Sequence, residues 1–160
     1  MNRVFSPPDL GSAASLGLLA LRVVAGLALA MHGYPKIQHL TSWMGPDSWA
    51  PPVLQALAAI AEFGGGLALA LGIFTPLACL GILCVMATAI FAVHVPHGDP
   101  FVSVGPGKRG SYELPLLYLA SVFSVMLTGP GAFSVDAIFF KKKLVTPTTV
   151  ERREMVSVPK

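Results

Sequence analysis

Residues 51–96 read PPVLQALAAIAEFGGGLALALGIFTPLACLGILCVMATAIFAVHVP and hold a single charged side chain, Glu62. Prolines stand at both ends and, as Pro76, in the middle. The hydrocarbon core of a bilayer is ~30 Å thick and takes about 20 mostly apolar residues as helix. Lipid cannot replace a backbone donor that proline removes, so proline belongs between spans. The stretch therefore reads as two antiparallel membrane helices. One covers residues 53–74, opened by Pro51-Pro52 where a first turn tolerates proline. The other covers residues 77–95, beyond the Thr75-Pro76 break.

Outward from this pair, a first span is expected over residues 13–33, closed by Tyr34-Pro35-Lys36. A fourth and shortest is expected over 112–128, with Pro115 in its first turn and Thr128-Gly129-Pro130-Gly131 after it. Every proline other than Pro115 should lie outside a helix interior. The first span also has signal-peptide features, Arg3 ahead of it and Ala28-Leu29-Ala30 as a cleavage site. Arg22 within it, and a length beyond the roughly 7–15 residues of such a segment, favour a retained helix.

Composition points the same way. The 160 residues are 54% hydrophobic and 12% charged, with a mean hydropathy of +0.69, whereas soluble domains carry about a quarter charged residues. A soluble domain of this length buries only ~70% of its unfolded surface, too little to hide so much apolar area. A water-soluble globule, a disordered chain and a disulfide-stapled scaffold are excluded. The net charge of +3 calls for no nucleic acid.

The expected fold is all-α: an integral membrane four-helix bundle with antiparallel neighbours. Phe133 to Phe140 suggest a short interfacial helix over 132–140, whose aromatics enter the headgroups. Residues 1–140 form the membrane domain and 141–160 a basic tail. Arg3 and the tail's Lys141, Lys142, Lys143, Arg152, Arg153 and Lys160 outnumber Lys36, Lys108 and Arg109 of the long loops. The positive-inside rule then places both termini in the cytoplasm and the loops, with Tyr34, Trp43 and Trp49, outside.

Within a span an ionisable side chain costs about 2.5–3.5 kcal/mol, so it marks a functional candidate. Arg22 and Glu62 lie near the middles of the first two spans and are expected to pair across a tight interface. Gly26 and Gly33 share the face of Arg22, while Ala58, Gly65 and Gly66 surround Glu62; small residues let backbones approach. Two readings stay open: an ion pair that fixes register, or a site that binds a polar headgroup or relays a proton.

A second group gathers at the outer face, where His32, Lys36, His94 and Glu113 are joined by His97, Asp99, Lys108 and Arg109. A histidine beside a carboxylate is a usable proton-transfer pair, although a membrane boundary is also where polar groups ordinarily sit. His94, His97, Asp99 and Glu113 offer metal ligands without a strong spacing signal. His32 and His94 could clamp haem axially, but no attachment motif accompanies them. Cys79 and Cys84, five residues apart on a helix, point about 140° apart and are not a dithiol centre. Neither a phosphate-cradling loop nor a nucleophile elbow is present.

Leu21-Arg22-Val23-Val24-Ala25-Gly26 followed by His32-Gly33-Tyr34-Pro35-Lys36 resembles the first helix of the DoxX family. Glu62-Phe63-Gly64-Gly65-Gly66 and Leu71-Gly72-Ile73-Phe74-Thr75-Pro76 resemble its second helix and turn. His94, Tyr112-Glu113-Leu114 and Thr128-Gly129-Pro130-Gly131-Ala132-Phe133-Ser134-Val135-Asp136 resemble the remainder. The resemblance covers about residues 16–140; the loop from Trp43 to Pro52 and the charged tail depart from it. It implies a four-helix inner-membrane protein with Arg22, His32, Lys36, Glu62, His94, Glu113 and Asp136 as motif residues. It also implies kinship with membrane subunits of quinone-linked oxidoreductases, a thiosulfate:quinone type among them, and of redox complexes acting against oxidative or thiol stress.

The leading expectation is thus a quinone-linked redox subunit. Glu62, Glu113 and His94 are its candidate catalytic groups, and Arg22, His32 and Lys36 its substrate contacts. Without a flavin, haem, metal or dithiol motif, electrons would come from a partner subunit or directly from substrate. A non-enzymatic anchor or scaffold for a redox partner is one alternative. A small carrier or binding protein, working as a homo-oligomer because four spans are few, is another.

Overall fold

The prolines and glycines that punctuate the sequence mark most of the helix ends. The computed structural model describes residues 10–104 and 110–140. Helix α1 spans Ser12–Gln38, α2 Pro52–Leu71 and α3 Thr75–Thr88, which continues as a π-helical segment over Ala89–His94. Helix α4 spans Glu113–Thr128 and a short α5 spans Val135–Phe140. Among the described residues there is no strand. Helices α1, α2 and the continuous Thr75–His94 are long and apolar enough to cross a membrane. With 16 residues, α4 reaches about 24 Å, the shortest of the four, as expected.

The helices run up and down in chain order, each packed on the next, and a narrower contact of α4 with α1 closes the ring. Leu29, Leu69, Cys79, Ile82, Met86, Val122 and Val125 form the core. Val24, Met31, Ile60, Leu77, Phe91 and Leu127 are exposed on the outside, where lipid makes exposure free of penalty. The two long loops share one end of the bundle, called here the loop end. The α2–α3 turn and α5 share the other, the turn end.

Glycines set the closest contact, between α1 and α2. A Cβ on Gly26 would stand 2.5 Å from the Gly66 carbonyl oxygen, one on Gly66 2.7 Å from the Ala30 nitrogen, and one on Gly33 would collide with the Phe63 backbone. These contacts fix the register: Gly26 lies against Gly66 and Ala70, and Gly33 against Glu62 and Phe63. Glu62 therefore sits at the depth of Gly33, three helical turns and ~16 Å from Arg22. The expected pairing of Arg22 with Glu62 is not formed, because the two residues differ in depth by half a bilayer.

A second difference lies at Pro35, which is inside α1 and not beyond its end. Proline removes one helical hydrogen bond, here within the last turns, and the helix continues to Gln38. The extension keeps Lys36 on the helix, one turn past Gly33 and turned toward α2.

At the turn end, Gly72 caps α2 in the left-handed conformation with φ 69°, and Phe74 follows with φ 45°. The first N–H groups of a helix lack internal partners. Here Phe74 and Thr75 donate theirs to the two carboxylate oxygens of Asp136, each at 2.8 Å. The Asp136 N–H donates to the Gly72 carbonyl, also at 2.8 Å. Helix α5 is thus tied to the α2–α3 turn through Asp136, while Ile138 and Phe139 stay exposed as an interfacial helix requires. Residues 132–134 precede its first turn, so the helix is shorter than expected. The basic tail lies outside the described residues.

Candidate functional site

The chemistry of the loop end starts from Glu62, which is only 4% exposed. Lys36 reaches it from α1, with 2.6 Å between Nζ and Oε1. The ammonium also stands 4.5 Å from the centroid of the Trp43 ring, within cation–π range. Trp43 is itself held: its Nε1 donates to the Gln55 carbonyl at 2.9 Å. The buried Gln55 side chain donates to Ala50 and accepts from the Met44 N–H. Gln55 thereby staples the first loop onto the opening turns of α2, above the ion pair.

One atom of this arrangement is left over. Glu62 Oε2 is buried and has no hydrogen-bond partner. Glu62 and Lys36 line the polar end of a groove of about 700 Å³ between α2 and α3. Its floor is built from small residues, Ala58, Ala61, Gly64 and Gly65 of α2 facing Ala78 and Gly81 of α3, and it runs to Ile73 and Leu77. Trp43 and Trp49, the two tryptophans of the chain, both border it. Such a groove suits an elongated apolar molecule carrying one polar head, the usual make-up of a ligand site.

Arg22 is at the opposite end and does not line the groove. It is fully buried; its Nη2 donates to the Phe133 carbonyl at 2.6 Å, and the opposite charge acting on it is the Asp136 carboxylate. A Cβ on Gly72 would strike the guanidinium and approach the Ser134 Cβ at 2.6 Å, so glycine is required there for space as well as for conformation. Arg22, Gly72 and Asp136 form a clasp joining α1, the α2–α3 turn and α5. Arg22 Nε and Nη1 have no partner within it.

The other predicted residues have their own neighbours at the loop end. His94, at the end of the π segment, pairs through Nδ1 with Asp99 Oδ2 at 2.8 Å. His32 lies edge-on to Tyr118, 6.2 Å between ring centroids, and His97 turns to the Val93 carbonyl. Glu113 begins α4, half-buried. Lys108 and Arg109 lie outside the described residues. Among the described residues no group of three or more His, Cys, Asp or Glu is placed to hold a metal. Cys79 is buried and Cys84 exposed, both free thiols.

Residue type marks Lys36 and Glu62 separately, whereas their partnership and the contribution of Gln55 and Trp43 emerge only in the fold. A glutamine inside an otherwise apolar span was the available signal for Gln55. Asp136 entered through family resemblance, and its capping role is visible only in three dimensions.

Comparison with known proteins agrees with this architecture. The DoxX family model matches residues 17–95. An uncharacterized protein of Haemophilus influenzae is 32% identical over 127 residues, which is 78% of this chain and 92% of the relative. Inner membrane protein YphA of Escherichia coli is 30% identical over 139 residues, covering 80% of this chain and 94% of the relative. Inner membrane protein YqjF of the same organism is 27% identical over 132 residues, 79% and 95% respectively. No solved structure matches the chain. With that coverage and the matching first three helices, the chain belongs to the DoxX family.

Proposed function

We propose that the chain is an inner-membrane subunit that binds an isoprenoid quinone in the α2–α3 groove for a quinone-linked redox reaction. The observation that carries this reading is the buried Glu62 carboxylate paired with a half-buried Lys36 at one end of an otherwise apolar, laterally open groove. A quinone needs an apolar slot for ring and tail and a hydrogen-bond donor for a carbonyl. Lys36 supplies the donor, and the small-residue floor accommodates the ring and first isoprene units. The names of the Escherichia coli relatives support an inner-membrane location, and the distribution of basic residues supports cytoplasmic termini. The loop end would then face the outside, where His94 with Asp99, and Glu113, are available for proton exchange. Electrons would reach the carrier from a partner subunit or from a substrate oxidised at the membrane surface.

Because both tryptophans border the groove, quinone binding should quench their fluorescence. Titrating protein in lipid nanodiscs with a short-tailed ubiquinone analogue is expected to give saturable quenching. Lys36→Met should weaken binding about tenfold, the weight of one charged hydrogen bond. Gly64→Leu should block it by filling the groove, and the fold should survive because a Cβ at Gly64 meets nothing within 4 Å. Quenching that never saturates in folded wild-type protein, or that Gly64→Leu leaves intact, would remove the proposal.

A further inference from the structure

The unpartnered oxygen of Glu62 says which redox form the groove prefers. An ionised carboxylate only accepts hydrogen bonds, whereas an ammonium only donates them. Lys36 uses one of its three donors on Glu62 Oε1 and has others to offer a ligand oxygen. Glu62 Oε2 is buried with nothing to accept from. The terminal torsion of a glutamate is soft, so a small rotation turns that oxygen toward the groove that Glu62 lines.

An oxidised quinone carries acceptors alone. It can take a proton-bearing contact from Lys36, but it leaves Oε2 as it is, now more deeply shut away from water. A hydroquinone answers both groups: its O–H donates to Oε2 while the same oxygen accepts from Lys36. We infer that this groove holds the hydroquinone form of the carrier in preference to the quinone. The inference rests on the quinone-binding reading above and adds to it a selection that the apolar floor cannot make. Pairing this buried acceptor in one redox form and not in the other corresponds to a roughly 10- to 100-fold difference in affinity.

Preference for the reduced form has a thermodynamic consequence. By linkage, tighter binding of the hydroquinone raises the midpoint potential of the bound couple. For a two-electron couple each tenfold preference corresponds to about 30 mV. The groove therefore makes its carrier a better electron acceptor than the same carrier free in the bilayer, as suits a subunit that passes electrons into the quinone pool.

The test is anaerobic calorimetric titration of nanodisc-embedded protein with a short-tailed ubiquinone analogue and, separately, with its chemically reduced hydroquinone. Wild-type protein is expected to bind the hydroquinone at least tenfold more tightly, and Lys36→Met to weaken both forms alike. Glu62→Gln replaces one carboxylate oxygen by an amide donor that suits a quinone carbonyl, so the preference should shrink or invert. Redox titration of the wild-type complex should place the bound couple above the free one, a reading that needs no variant to fold. Equal affinities, tighter binding of the quinone, or a preference that Glu62→Gln leaves unchanged would overturn the inference while the groove remains a quinone site. Absence of binding by either form would instead remove the binding reading itself.

Discussion

At the residue scale, the buried charges at the turn end are asymmetric. Asp136 has its two oxygens bonded to the Phe74 and Thr75 N–H groups and remains satisfied without Arg22. Arg22 has two nitrogens without partners and relies on Asp136 for opposite charge. Removing Asp136 strips the cap from α3 and leaves a buried cation, a change of the kind that costs about 3 kcal/mol or more. Removing Arg22 in favour of an apolar chain of similar length loses the bond to Phe133 but also the unpartnered N–H groups, a change nearer 1 kcal/mol. Asp136→Ala should therefore lower the unfolding midpoint in detergent clearly more than Arg22→Met. Equal losses, or a greater one for Arg22→Met, would mean that the guanidinium holds the clasp. That Arg22 is a buried exception could be read from its position in an apolar run. Its partners could not, since Phe133 and Asp136 lie more than a hundred residues along the chain and meet it only once α5 folds back.

At the element scale, the spans themselves were legible because proline and charge mark where a helix leaves lipid. Their register was not. Matching the centres of residues 13–33 and 53–74 places Arg22 opposite Glu62; the glycine contacts displace α1 along α2 so that Gly33 takes that place. The displacement is fixed by two close approaches, Gly26 on Gly66 and Gly33 on Phe63. Both depend on packing that periodicity does not encode. Gly64 and Gly66 of α2 consequently differ in kind although only two residues apart. Gly66→Ala forces a Cβ into the backbone of α1 and should destabilise by more than about 2 kcal/mol, at the upper end of overpacking. Gly64→Ala meets open space and should be neutral or stabilising by up to about 1 kcal/mol through helix propensity. Thermal unfolding of both variants in one detergent checks the contrast. Similar losses would show that α1 and α2 are not in this register.

At the scale of the whole molecule, the bundle separates two roles that a shared depth would have merged. The loop end holds the Lys36–Glu62 ion pair that meets the groove, and the turn end holds the clasp that closes α5 onto the α2–α3 turn. Glu62 and Gly72 are ten residues apart along one helix and its cap, about 15 Å, beyond the 7–10 Å over which substitutions usually interact. The ends should then behave independently. Asp136→Ala is expected to lower stability while leaving the affinity for the short-tailed ubiquinone analogue within about twofold. Lys36→Met is expected to lower affinity about tenfold and, by leaving the buried Glu62 carboxylate without its counter-charge, to lower stability as well. In the double variant the two effects should add within ~0.5 kcal/mol. The decisive measurement is quinone affinity of folded Asp136→Ala protein. A tenfold loss there would show that the clasp sets the shape of the groove through α3, whose first turn Asp136 caps and whose next turns form the groove wall at Ala78 and Gly81.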